Sequence, residues 1–185
     1  MKYASVDIET TGLNPRKHQI LEVGIIVEDT KMKSAIHNCP AFHCYIDHET
    51  IIGDAYALQM NAAILKKICD LRISDPCNML LKPEAVPVAI GRFLFQTFGH
   101  VRPTAAGKNA AGFDLPFLYE LPMASERFGF AHRVLDPSSL FVNFSIDEKL
   151  PDAKECKVRA GVPGEVLHNS LDDAWDIIQV LRTRY

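Results

Sequence analysis

The 185-residue chain lacks an excess of positive charge, long apolar runs and any paired spacing of cysteines, and each absence removes a class of protein. Twenty Lys+Arg stand against 23 Asp+Glu, a formal net charge of −3. A chain of that balance is not built to coat long duplexes, because such binding scales with the number of phosphates neutralised. It can still grip a few phosphates, since acids gathered round a metal make a chain acidic overall while its loaded face is not. No segment approaches the roughly 20 consecutive apolar residues of a membrane span, so no membrane partner is expected. The opening "MKYASVDIETTG" has no apolar run after its lysine and does not read as a secretory signal. Five cysteines, an odd set, point to reduced thiols and a cytoplasmic location. Internal repeats, low-complexity tracts and linkers are absent, so residues 1–185 are expected to form a single domain. Its 48% hydrophobic and 23% charged residues suit an ordinary globular core.

What is present is an alternation of strands and helices. Tyr3–Ile8, Gln19–Val27 and Ala41–Ile46 read as strands. The turn residues "EDTKMKS" and short connections between them predict an antiparallel meander. Ala55–Asp70 has helical spacing at Leu58, Ile64, Leu65 and Ile68, and Glu84–Phe98 carries a second apolar stripe behind early prolines. Pro103–Ala106 reads as a short buried strand, followed by a helix opening near Phe113. Val134–Leu135 ends a further strand ahead of a helix at "DPSSL", which Asp136 is placed to cap. Leu171–Leu181 is the final helix. The segment Ile146–Pro163 fits no element. Together these predict an α/β protein with a mixed sheet and helices packed on it.

Acids occupy several positions where core is expected. Asp7 and Glu9 lie two apart in a hydrophobic strand, so both point to one face. Like charges so close repel, and burial strips their hydration. Asp114 opens a helix, because Pro116 fits only an early turn. In "LHNSLDDAWDIIQVL" the stripe is Leu171, Ala174, Ile178 and Leu181. Asp173 stacks with Ile177 and Val180 at its edge and can face inward, while Asp172 shares the solvated side with Asp176 and Gln179. His168 precedes that helix, with Asn169 or Ser170 as its cap. Four inward carboxylates, Asp7, Glu9, Asp114 and Asp173, suit two Mg²⁺ or Mn²⁺ ions better than zinc. Two such ions about 3.5–4 Å apart serve phosphoryl transfer, with His168 placed to take the proton of the attacking water.

"VDIETTGL", "KNAAGFD" and "HNSLDDA" resemble the three motifs of the DEDD superfamily of 3′–5′ exonucleases. His168, five residues before Asp173, resembles its histidine branch, which includes ribonuclease T, oligoribonuclease and DnaQ-like exonucleases. The motifs run in the family's order over residues 7 to 173. The resemblance implies a ribonuclease H-like fold with a mixed five-stranded sheet, and release of nucleoside 5′-monophosphates from single-stranded or short DNA or RNA 3′ ends. It makes Asp7, Glu9, Asp114 and Asp173 metal ligands and His168 the general base. It also puts Thr10 and Leu13 against the terminal nucleotide and makes Asn109 a substrate contact. This chain departs from the pattern twice. Lys108 stands where many relatives have histidine, and "LQMNAAIL" replaces the His-Gly-Ile stretch of the proofreaders, which makes Asn61 a candidate substrate contact.

Other readings are set beside this one. Asn61 and Asn109 could equally satisfy backbone groups. A proofreading role would need a polymerase partner chain, and a homodimer is equally open. A non-catalytic nucleic-acid-binding module would not need the complete set of acids. The cluster His37, Cys39, His43, Cys44 and His48 has no standard zinc spacing, and His43 and Cys44 face opposite ways in a strand. Lys149, Lys154, Lys157 and Arg159 form either a phosphate-facing edge or, more simply, a solvated loop.

Overall fold

Alternation sorts the first strand, β1 (Lys2–Thr10), into two faces. Ala4, Val6 and Ile8 enter the larger apolar core, whereas Tyr3, Ser5, Asp7 and Glu9 turn to the other side. β1 pairs antiparallel with β2 (Ile20–Asp29), and β2 with β3 (Ala41–Ile46), which is the expected meander. The structure, a computed structural model, describes residues 1–164 and 169–185.

The sheet order is β4-β3-β2-β1-β5. Its edges are β4 (Leu80–Leu81) and β5 (Thr104–Ala106), each parallel to its neighbour. This is the mixed five-stranded sheet the resemblance implied. The sequence pattern did not show β4, which is two residues long. Val134–Leu135 forms no strand: only Leu135 makes a lone parallel bridge to Ala106.

Helices cover both faces. On one lie α3 (Val86–Phe98), α4 (Asp114–Tyr119) and α5 (Ala124–Arg127), which pack Val86, Ile90, Leu94, Leu118 and Ala124 on the strands. On the other lies α8 (Ser170–Arg182), with Ala174, Ile177, Ile178 and Leu181 against Tyr3 and Ile26. The helix expected over Ala55–Asp70 is two, α1 (Ala55–Met60) and α2 (Ala62–Ile73). The break falls at Asn61, whose buried side chain donates Nδ2–H to Thr10 O at 2.9 Å. The backbone there departs from helical angles (φ −93, ψ 20), although Asn61 N–H still reaches Ala57 O at 3.0 Å.

The unassigned segment Ile146–Pro163 contains α7 (Ala153–Ala160), which Asp152 caps by accepting Glu155 N–H at 2.8 Å. Two of the basic residues there depart from the solvated loop that was the simpler reading. Lys157 is buried against Asp176, and Arg159 pairs with Asp147 and Glu155, whereas Lys149 and Lys154 stay exposed. Ahead of α7 comes α6 (Pro137–Phe141), where Asp136 Oδ1 accepts Ser138 N–H at 2.9 Å, the expected cap.

Candidate active site

The Thr-Thr-Gly that follows Glu9 is a folded knot. The β1–β2 register shifts between Glu9 and Thr10, a bulge of the kind that re-aims side chains. Thr11 is fully buried: its hydroxyl donates to Ile52 O at 2.6 Å and accepts Gln19 N–H at 2.9 Å. Thr10 is also buried, its hydroxyl donating to Gly12 O at 2.7 Å. A Cβ on Gly12 would lie 2.3 Å from the His18 ring, so any side chain there would have to displace that ring. The strand end carrying Asp7 and Glu9 is thereby held rigid.

Three elements then converge. Asp7 and Glu9 come from β1 and Asp173 from the first turn of α8. One carboxylate oxygen from each lies within 4.8 Å of the other two. Among the described residues this is the only group of three or more metal-ligating side chains so close. Asp172, one residue before Asp173, is exposed, as helical phase required. Asp114, the first residue of α4, is 4% exposed, and its Oδ1 accepts the Ile8 N–H at 3.1 Å. It stands beside Asp7 but outside the tight triad, so the structure joins three of the four expected ligands and parks the fourth on the β1 backbone. His168, the expected general base, lies outside the described residues.

The electrostatics follow from this crowding. Burial, then the charges of Asp114, Asp173, Glu9 and Glu22, push the Asp7 carboxyl well above the ordinary carboxylate range. Burial, then Asp173 and Glu22, bring Glu9 from 4.5 up to about 7, with a hydrogen bond from Asn61 opposing. Burial likewise raises Asp114 to about 7, against backbone N–H donors that favour its charge. Among the described residues no Lys, Arg or His forms an ion pair with Asp7, Glu9 or Asp114. Repelling carboxylate oxygens gathered this closely fit a hard divalent ion, and nothing in the set offers the nitrogen or sulfur that zinc favours.

A pH dependence of stability follows. Acids whose pKa is raised on folding bind protons more tightly in the folded state than in the unfolded one. Their contribution is therefore full below the unfolded values, near 4–4.5, and is lost as pH rises through the folded value of about 7. The melting temperature of the metal-free protein is expected to fall between about pH 5 and pH 8. Mn²⁺ should restore it, most at the upper end. Thermal melts in EDTA and in Mn²⁺ across that range check this; a metal-free melting temperature that climbs with pH would refute it.

The remaining predicted contacts divide. Leu13 is 80% exposed at the lip of the turn, free to meet a ligand. Asn61 holds Thr10 and Glu9 in place from inside. Asn109 is exposed in a left-handed turn (φ 57), where asparagine is tolerated, with its N–H on Asp136 Oδ2 at 2.9 Å. Lys108 lines a cleft together with Asp7, Asp173, Cys156 and Lys157, which puts a cation on the rim of the acids.

Two residues at the site were not singled out from the sequence. Glu22 is a fully buried acid on β2, opposite Glu9 in register. His43, weighed above only as a zinc ligand, donates Nε2–H to Glu22 Oε1 at 2.6 Å. The signal was an acid inside the apolar run "ILEVGIIV", which burial obliges to find a partner.

The five-stranded mixed sheet is of the ribonuclease H-like kind, and its acidic cluster lies where β1 and α8 meet. No protein-family model matches the chain, and no curated protein matches it by sequence. Solved structures do. The nuclease domain of 3′hExo, a DEDDh family member bound to rAMP, superposes with a TM-score of 0.67 at 15% identity, covering 98% of this chain and 90% of that one. E. coli exonuclease I in complex with a dT13 oligonucleotide gives 0.65 at 11% identity, covering 98% of this chain and 40% of that one. Exonuclease I from Methylocaldum szegediense gives 0.65 at 16%, with the same coverages. The likeness establishes a shared fold, and this chain spans about 40% of the length of the exonuclease I chains.

Proposed function

We propose that this chain is a divalent-metal-dependent 3′–5′ exonuclease of the DEDD histidine branch, releasing nucleoside 5′-monophosphates from single-stranded or short DNA or RNA. The observation that carries the reading is the convergence of Asp7, Glu9 and Asp173 within 4.8 Å, beside Asp114, in a fold shared with the DEDDh nuclease domain of 3′hExo. The similar structures support the substrate class: those proteins are bound to dT13 and to rAMP.

Asp7, Glu9, Asp114 and Asp173 would hold two ions, Mg²⁺ or Mn²⁺. When bound, such a pair supplies water activation and charge neutralisation at the leaving oxygen. The chain supplies the rest. His168 accepts the proton of the attacking water, a role that rests on its place five residues before Asp173. Leu13, exposed at the turn, lies against the terminal base, with Thr10 and Asn61 keeping that turn in place. Asn109, exposed next to Lys108, would contact the substrate, and Lys108 would offer a positive charge to a backbone phosphate. Entry of only a few nucleotides suits a single strand. No helix among the described residues is long and apolar enough to cross a membrane, and five unpaired thiols suit a reducing, cytoplasmic setting.

The test is a time course on matched DNA and RNA oligomers labelled at the 5′ end, with Mg²⁺ or Mn²⁺. A 5′-labelled strand that shortens from the 3′ end one nucleotide at a time is the expected result. Undiminished cleavage in excess EDTA, or no cleavage with either metal, would overturn the reading.

A further inference from the structure

Glu22 has no exposed surface and is not one of the clustered acids, yet it sits one rung from Glu9 across the β1–β2 ladder. Both of its carboxylate oxygens are engaged. Oε1 accepts from His43 Nε2 at 2.6 Å, and Oε2 accepts the Ser170 N–H at 3.3 Å. Ser170 is the first residue of α8. Two residues along the same face of β2, Gly24 leaves no room for a side chain: a Cβ there would lie 2.5 Å from Ser170 C and O and 2.7 Å from Leu171 N. The first turn of α8 therefore rests directly on the β2 backbone, tied to a buried carboxylate that β3 braces through His43.

Asp173 lies three residues beyond Ser170, so it moves with that seat. Its distance from Asp7 and Glu9 is a distance between a helix and a strand: β1 reaches α8 through Ser5 Oγ, which donates to Ala174 O at 2.7 Å, and the neighbouring β2 holds the first residue of the helix through Glu22. A neutral residue at 22 would relieve the repulsion that Asp7 and Glu9 feel from it. The acid instead places negative charge at a helix N-terminus, where it is favoured.

We propose that Glu22 and His43 form a positioning pair that seats the N-terminus of α8 on β2 and so sets Asp173 against Asp7 and Glu9 for divalent-cation binding. The proposal rests on the metal-site reading given under Proposed function. Neither residue contacts the ion; each acts through α8, as partners behind metal ligands do.

The probe is Mn²⁺ alone, titrated calorimetrically into the full chain, with amide exchange at Leu171–Ala174 read in parallel. Glu22→Gln keeps the side-chain shape and removes the charge. It is expected to remain folded, to weaken Mn²⁺ binding about 10- to 100-fold and to speed exchange in that first turn. Raising Mn²⁺ should recover its nuclease rate. Unchanged Mn²⁺ affinity in a folded variant overturns the proposal. So does weakened affinity with unchanged exchange, which would make Glu22 a bare charge. If Glu22→Gln does not fold, His43→Gln carries the same two readouts, with the same outcomes deciding. Wild-type protein that takes up no Mn²⁺ overturns the metal-site reading itself, whereas wild-type uptake with an unaffected variant overturns only the positioning pair.

Discussion

Asp7→Asn is expected to abolish metal-dependent mononucleotide release while raising the melting temperature of the metal-free protein. Both effects have one cause. Asp7 carries the heaviest repulsion at the site, from burial and from four neighbouring acids. Asparagine keeps the shape and removes the charge, so each remaining acid loses a repelling neighbour. A gain of about 1 kcal/mol would appear as about 2–4 °C in a chain of this size. The same change removes a carboxylate proposed above as a central metal ligand. Its cost should exceed the 10- to 100-fold that follows from disturbing a residue behind a metal ligand, reaching about a thousandfold or more. Melts in EDTA and single-turnover assays in Mn²⁺ check the two halves. A metal-free variant less stable than wild type would mean the acids are not held in tension, and near-normal turnover would remove Asp7 from the site.

This opposition between stability and function is also why the site was legible in the sequence. Asp7, Glu9 and Asp173 each break a local pattern, an acid on an apolar strand or at the edge of an apolar stripe, and broken patterns mark places where another requirement has won. The strands β1, β2 and β3 and the helices α3 and α8 were legible because each buries a long periodic face. β4 and α5 are two and four residues long, too short for a period to register. α7 was hidden because its buried positions include Lys157, a lysine that faces inward through its contact with Asp176. Asn61 defeated the pattern in another way: its side-chain amide is tied to Thr10 O, fifty-one positions back, and no local signal reports that. The exclusion of Asp114 from the tight triad has the same origin, since the Ile8 N–H that holds it belongs to another element.

Arg182→Met is expected to produce the largest loss of stability of any single change considered for this chain. Glu22 and Glu28 lie on one face of β2, six residues and roughly 20 Å apart, and Ser170 to Arg182 spans about 18 Å of helix. α8 therefore runs alongside β2, with a buried glutamate at each end. At the far end Glu28 is fully buried and accepts from Arg182 Nε at 3.1 Å and Nη2 at 2.6 Å, with the Tyr185 hydroxyl donating at 3.3 Å. The same guanidinium donates to Ser34 O at 2.6 Å and stacks over the Trp175 ring. Methionine keeps much of the apolar stem but strands the Glu28 charge, which costs about 3–5 kcal/mol, on the order of 10 °C in melting temperature. Adding Glu28→Leu should return most of that loss, because replacing both members of a buried pair with apolar groups is often neutral. Denaturant melts of wild type, the two single variants and the double variant give the coupling directly; a loss under about 1 kcal/mol in Arg182→Met would show that the pair does not hold α8. Mn²⁺ affinity of the folded single variant should stay near that of wild type, since Asp173 is set from the Glu22 end. A change at Arg182 then lowers the amount of folded protein, and a change at Glu22 lowers what the folded protein can bind.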